Sequence, residues 1–597
     1  MFLSLRGMKK GLFIVCIVLF QVSFSQNNYV LAERYFNDGA FEKATVLFEK
    51  LLKKNPNNTT YLKKLLSSYQ ESGQFTTAEN LLKNKLTANP NQSYLLVEIG
   101  YNYDRQHQKE EANLYYNKAL EAIDKNPAIG GFIARLFKQN TLLEYAIAAY
   151  EKTMSYNPNA NYQFLVAQIY GEKGSFDNMF DSYVELLDKN ENYLTTVQRY
   201  ASRYITEDKF NEKNSAFKKA LIKKSVSNPK DVWNRLLSWL FIQQKEYSKA
   251  FIQEKALFHR NPQNSMAILD VGRTAFENKM YESAKTCFEF IIANSPSKEE
   301  ILTSHLYRIH IAIAENKPTI DTMFNALYTT YGKKKATLKL QLAQANYLTF
   351  IKNQPELAVA ILEHALQIAP SKFQKAAIKI QLGEVHVFTG NYNKALIYFS
   401  QVQTGIKNHP LAQQARFKVA QTSFFKNDFK WAFAQLKVLK SSTTQLIAND
   451  ALDLFLTISD NQVKDSIDTG LKRYATASLL AFQNKNKEAI DTLQDIITTF
   501  KGQKIEDEAL YKQAQLFSKT TAFNKAIDAY SKIIALDAEG IFVDDAIYDI
   551  AEIYFYQLNN TEKALEYYQK IIFDHPSSIY LVDARNKFRK LRGDTIH

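Results

Sequence analysis

An alanine recurs along this chain at a nearly constant interval, and an aromatic residue or leucine follows it four positions later. Ala44 with Phe48 is the first instance, and Ala78 with Leu82, Ala112 with Tyr116 and Ala146 with Tyr150 follow in ~34-residue steps. Met179 with Tyr183 and then Ala216 continue the series, and Ala250 and Ala284 with Phe288 restore the shorter step. The pattern resumes at Ala358/Leu362, Ala395/Phe399 and Ala432/Leu436, and again at Ala489/Leu493, Ala526/Tyr530 and Ala564/Tyr568, now with ~37 residues between most anchors. Proline often follows, as at Pro56, Pro90, Pro158, Pro262, Pro296, Pro370 and Pro576. A period of this length means that each unit is one supersecondary element, able to bury its apolar face only against its neighbours.

The residues ahead of each alanine keep the same register. Ala32 and Tyr35 precede Gly39, Phe41 and Ala44; Leu65 and Tyr69 precede Gly73, Phe75 and Ala78; Leu382 and Gly383 precede Gly390, Tyr392 and Ala395. Two antiparallel helices approach closely only where side chains are small, so alanine or glycine belongs at the crossing and the aromatic one turn later fills the gap to the next unit. Gly39, Gly73 and Gly390 fall between the helices, where a turn needs positive φ. Composition agrees: 18 glycines and 12 prolines in 597 residues are too few for the closely spaced turns of a β-sandwich, and 46% hydrophobic residues argue against disorder.

This arrangement resembles the tetratricopeptide repeat, a helix–turn–helix unit with small residues at the helix crossings. The resemblance runs over roughly residues 27–590. It implies an all-α fold, an α-solenoid of helix–turn–helix tetratricopeptide repeats with about 13–15 units. Two stretches depart from it. Residues 301–340 lack the small anchor around Met323–Tyr331, and residues 441–470 fall in the wide gap between Ala432 and Ala489, where Leu452–Ile458 reads as an extra helix. The predicted organisation is therefore a signal segment 1–25, an N-terminal array 26–300, an irregular helical segment 301–340, a middle array 341–440, a second irregular segment 441–470, and a C-terminal array 471–597. The last array ends in a capping helix with Ser577-Ser578 at its start and Arg585, Lys587, Arg589, Lys590 and Arg592 on its exposed face.

Met8-Lys9-Lys10, an apolar run from Gly11 to Phe20 and the small-x-small end Ser23-Phe24-Ser25 have the layout of a cleaved secretory signal, with the cut after Ser25 and the start at Met1 or Met8. Val15 ahead of Cys16 does not suit lipid attachment. The run Tyr567–Ser578 resembles repeats of bacterial envelope proteins that assist outer-membrane assembly and division. These features predict an exported, periplasmic protein with peripheral outer-membrane association.

No chemistry-bearing motif accompanies the repeats. No Gly-rich phosphate loop, Gly-x-Ser-x-Gly, His-Glu-x-x-His or Cys-x-x-Cys is present, so the expectation is no catalytic site, no cofactor and no metal. His305 and His310 are five residues apart and point to different helix faces. Cys287 lies in the apolar pattern Ala284–Phe288–Ile291 and reads as a buried core residue. The formal charge of +14 is spread over many helices, so nucleic acid is not predicted as a partner. The tetratricopeptide resemblance implies that the first helix of each unit lines a concave groove. Tyr29, Glu33, Lys63, Tyr94, Tyr101, Arg105 and Arg135 occupy its early positions. Tyrosine and arginine dominate protein-binding hot spots, although Tyr94 and Tyr101 also suit packing between neighbouring helices. The expected function is a non-enzymatic protein-interaction scaffold for cell-envelope protein partners in an outer-membrane assembly or secretion complex. A glycan- or peptidoglycan-binding repeat module is the alternative.

Overall fold

The computed structural model describes residues 28–157, 159–263, 265–439, 445–461 and 469–593; the signal segment 1–25 lies outside them, as does part of 441–470. Among the described residues the secondary structure is helical throughout, with no strand. The chain divides into two compact units, one ending at Cys287 and one beginning at Phe288. Within each unit successive helices form hairpins. The first unit opens with a helix over residues 28–37, paired with Phe41–Lys54, and continues with Thr59–Glu71 and Phe75–Ala88, Leu95–Asp104 and Lys109–Lys125, then Gly130–Gln139 and Leu143–Tyr156.

The alanine anchors lie at the helix crossings of both units. Ala44, Ala78, Ala146, Ala250, Ala358, Ala395, Ala489 and Ala564 are fully buried, and so are the partners Phe48, Leu82, Phe399 and Tyr568. Met179 and Tyr183 are equally buried, so a methionine serves as anchor in that unit. The first helix of a pair carries its own small residue, Gly100 or Gly383, directly under the aromatic ring of Tyr116 or Phe399. Fully buried Cys287 packs in this core, and burial pushes its thiol up to about 12.

The longer period of the second unit has a definite origin. Most second helices keep a length of 14 residues, in Phe41–Lys54 as in Phe523–Leu536, with Lys109–Lys125 at 17 and Phe429–Leu439 at 11 among the exceptions. The first helix grows: Leu95–Asp104 and Gly130–Gln139 have 10 residues, whereas Lys372–Phe388 has 17. The extra residues add whole turns to the helix that lines the groove. Between Ala526 and Ala564 one residue more is absorbed by a π turn, Ile553–Gln557, at the end of Val543–Glu552. The long step to Ala216 comes from the connection after Ala201, which Asn214 braces. The buried Asn214 side chain donates to the carbonyls of Thr206 and Asp208 at 2.7 Å each and accepts from the Thr206 amide at 3.1 Å.

Among the described residues the irregular segments hold helices. Residues 301–340 form most of the pair Lys298–Ala314 and Ile320–Tyr331, followed by the start of Leu338–Phe350. Buried Ile320 and Phe324 hold the anchor and aromatic positions, so the unit lacks a small residue because isoleucine replaces it. The wide gap holds an additional helix, Gln445–Asn461. In this second unit the carboxyl ends of the groove-lining helices converge. Phe350, Phe388 and Phe482 meet edge to face at 5.5 and 5.4 Å, Gln483 donates to the Phe388 carbonyl at 2.7 Å, and Asn484 donates to the Phe350 carbonyl at 2.8 Å.

The capping helix is Leu581–Arg592, entered through a hydrogen bond from the Tyr580 amide to Ser578 Oγ at 3.1 Å. One expectation needs correction here. Lys587 is not on the exposed face: its ammonium is drawn inward to Glu552 at 2.7 Å, Asp583 at 2.8 Å and the Tyr548 hydroxyl at 2.8 Å. Arg585, Arg589, Lys590 and Arg592 are exposed.

Candidate functional site

The helices 28–37, Thr59–Glu71, Leu95–Asp104 and Gly130–Gln139 present successive faces to the groove of the first unit. Their curvature brings side chains two repeats apart into contact: Lys63 Nζ donates to Gln139 Oε1 at 2.8 Å, passing over the helix between them. Beneath this bridge lies a cavity of about 380 Å³ lined by Phe36, Leu66, Tyr94, Leu95, Phe132 and Leu136 on its apolar side and by Lys63, Lys64, Ser67, Glu98 and Gln139 on its polar side. Tyr94 and Phe132 stand edge to face at 4.9 Å, and the Arg135 guanidinium lies 5.5 Å over the Phe132 ring at the rim.

Glu98 is the unusual group of this cavity. It is only 7% exposed and, among the described residues, has no cation within 4.0 Å. Burial raises its carboxyl above the ordinary range, and the attraction of nearby Lys63 acts in the opposite sense. Lys64 is committed elsewhere. It pairs with Glu33 at 2.9 Å and lies 5.5 Å over the Phe36 ring. Glu33 also accepts from the Tyr29 hydroxyl at 2.9 Å, and its carboxyl is held low, first by Lys64 and then by Tyr29. Burial and the bond to Glu33 push the Tyr29 phenol up to about 12.

The residues expected from the sequence thus separate into groups. Lys63 and Tyr94 line the cavity and Arg135 borders it through Phe132. Tyr29 and Glu33 form one polar chain with Lys64, a cavity wall, while Tyr29 packs on Tyr61 at 5.6 Å. Tyr101 and Arg105 are half-buried beyond the cavity, at the other end of their helix, where Arg105 joins Glu71 at 3.0 Å across one repeat. Lys138 and Glu172 form a similar bridge two repeats on, at 2.7 Å; such exposed pairs contribute ~0–1 kcal/mol each. Phe36, Glu98, Phe132 and Gln139 were not expected. The signal available for them was the groove register itself, carried one turn along each first helix.

With an aromatic slot, one buried carboxylate and one tethered ammonium, the cavity suits a protruding side chain of a protein partner. Among the described residues no three His, Cys, Asp or Glu side chains converge as a metal site, and no helix is long and apolar enough to cross a membrane.

Comparison with known proteins agrees with this architecture. Residues 508–539 and 545–578 match the sequence profile of the tetratricopeptide repeat. Both compact units are built from successive helix hairpins, and the matched residues form two of the hairpins of the second unit. No curated protein sequence matches the chain. Among solved structures, yeast Tom70 shares 14% identity over 74% of this chain and 96% of its own, with a TM-score of 0.31. A chain of the APC/C hetero-tetramer Cut9–Hcn1 shares 13% identity over 97% of this chain and 98% of its own, with a TM-score of 0.26. A chain of Naa15/Naa10 bound to HypK-THB shares 14% identity over 95% and 96%, with a TM-score of 0.25. Tetratricopeptide repeats build surfaces for protein–protein interaction.

Proposed function

We propose that the chain is a non-enzymatic scaffold of the bacterial envelope, exported to the periplasm, whose first unit holds a protein partner in an outer-membrane assembly or secretion complex. The observation that carries the partner-binding part is the cavity beneath the Lys63–Gln139 bridge, where Tyr94, Phe132 and Phe36 surround the buried Glu98 carboxylate. Lys63 and the Asn140 side chain only partly offset the burial of this carboxylate, which is costly in the free protein. A partner side chain that brings hydrogen-bond donors to it recovers that cost on binding. The basic, apolar and small-x-small order of residues 8–25 supports export, and the likeness of residues 567–578 to envelope-protein repeats supports the compartment.

The test is capture from crosslinked envelopes with the full tagged chain and with a Tyr94→Ala/Phe132→Ala variant. Enrichment of outer-membrane or secretion proteins by the parent chain, reduced about tenfold by the variant at unchanged helical melting, is the expected result. Recovery of muropeptides in place of proteins assigns the groove to glycan instead. Equal capture by both chains removes the cavity from the account.

A further inference from the structure

The second unit contains another cavity, of about 540 Å³, enclosed by the helices Pro410–Phe425, Gln445–Asn461, Thr469–Phe482 and Ile505–Lys519. Its apolar lining includes Phe424, Phe425 and Phe482. Asp453 stands on the wall made by the additional helix, with Asp450 one turn before it, and Lys512 stands on the wall made by Ile505–Lys519. The other two lysines of the cavity are committed: Lys418 pairs with Glu384 at 2.8 Å and Lys519 donates to Asn484 at 2.8 Å.

Asp453 and Lys512 are not committed. Among the described residues neither makes a hydrogen bond or an ion pair, and the two are more than 4.0 Å apart. Both remain accessible from the recess: Asp453 is exposed and Lys512 half-exposed. Burial disfavours both charges, raising the Asp453 carboxyl and lowering the Lys512 ammonium from their ordinary values, while the attraction between the two groups partly offsets it. An acid and a base on two walls of one recess, whose lining mixes Phe424, Phe425 and Phe482 with Gln421, Ser478 and Gln515, match a ligand that carries both opposite charges on a partly apolar body. The volume falls within the ~300–1,000 Å³ of small-molecule pockets, and an extended dipeptide reaches ~7 Å, enough to bridge side chains that do not meet.

We propose that this cavity binds a small zwitterion of the apolar dipeptide class, with its ammonium on Asp453 and its carboxylate on Lys512. The proposal does not rest on the reading of the first unit's groove, and neither does its test. The full chain is titrated calorimetrically with leucyl-leucine, N-acetyl-leucyl-leucine and leucyl-leucine amide. Leucyl-leucine binds, and each blocked form binds about tenfold more weakly, because each leaves one protein charge without its partner. In Asp453→Asn the N-acetyl penalty disappears while the amide penalty remains, and in Lys512→Met the reverse holds. A thermal melt of each variant establishes that it is folded, and the blocked ligands on the unaltered chain provide a reading that no variant is needed for. Absence of leucyl-leucine binding, or equal binding of all three ligands by the unaltered chain, overturns the proposal.

Discussion

The backbone of Gly100 lies directly against the ring of Tyr116, so that a Cβ placed on the glycine would stand 2.5 Å from Cε1 of the tyrosine. The two residues belong to the paired helices Leu95–Asp104 and Lys109–Lys125, and this contact sets how closely the pair approaches. Fully buried Ala32 with Phe48, Ala134 with Tyr150 and Ala167 with Tyr183 keep the same offset in the sequence. Gly100→Ala therefore overpacks the crossing and lowers stability by about 1–3 kcal/mol in urea unfolding. Gly405→Ala is the matched control. That glycine ends the helix Tyr392–Gly405 with nothing within 4 Å of the added methyl, and its φ is not positive, so the change is neutral or stabilises by about 0.4–1 kcal/mol.

Tyr116 carries a second, opposite prediction. Its hydroxyl is buried without a hydrogen-bond partner, and burial drives its pKa well above the ordinary tyrosine value. Tyr116→Phe keeps the ring against Gly100 and removes the orphaned group, so stability is unchanged or rises by about 1 kcal/mol. A loss of stability on this substitution would show that the hydroxyl is satisfied in solution.

Except between Leu194–Ala201 and Glu212–Ser227, the described hairpin turns place one residue at positive φ. Glycine holds it at Gly39, Gly73, Gly174 and Gly390, but the same position is filled by His107, Thr141, Lys245, Lys279, Asn316, Asn353, Asn427, Asn484, Thr521 and Asn559. Left-handed backbone costs a β-branched residue about 1–2 kcal/mol. Thr141→Gly therefore stabilises the first unit by about 1 kcal/mol, and Gly73→Ala, where the added methyl meets no atom within 4 Å, destabilises it by a similar amount through φ alone. Thermal melts of the two variants against the parent measure both.

How much of this was legible in the sequence follows from what each feature depends on. The crossings were readable, because only small residues fit there and Ala44, Ala78 and Ala146 mark them. The turns were readable at Gly39, Gly73 and Gly390 but hidden at Thr141 and Lys279, where the closed hairpin forces φ on residues that do not prefer it. The cavity was only half readable. Lys63 and Tyr94 follow from the repeat register, whereas Gln139 joins them through curvature summed over two repeats, and no single period encodes that sum. Lys587 was misread for a related reason: its helix alone is strongly basic, and Glu552 on the preceding pair draws the ammonium inward.

Glu508 predicts a pH dependence. It is 7% exposed, Thr457 donates to it at 3.4 Å, and burial, followed by the charge of Asp453, pushes its carboxyl from 4.5 up to about 8. A folded state that holds a proton more tightly than the unfolded chain loses stability as pH rises between those two values. The protonated acid is favourable below pH ~4.5, and the ionised acid carries its full penalty above pH ~8. Glu508→Gln removes this response. Parent and variant melt alike near pH 4.5, and the variant gains steadily up to pH 8 in circular-dichroism melts. A constant difference across that range contradicts the assignment.

The groove of the first unit, on the function proposed above, receives a protein. The most direct measurement replaces Ser67, a cavity-lining residue, with a photo-crosslinking amino acid in the full chain in living cells, and compares it with the same replacement at exposed Val46 on the second helix of the first hairpin. The expected result is a discrete protein adduct from Ser67, lost on adding Tyr94→Ala/Phe132→Ala, and none from Val46. Adducts of equal yield from both positions, or an adduct at Ser67 indifferent to the loss of Tyr94 and Phe132, contradict it.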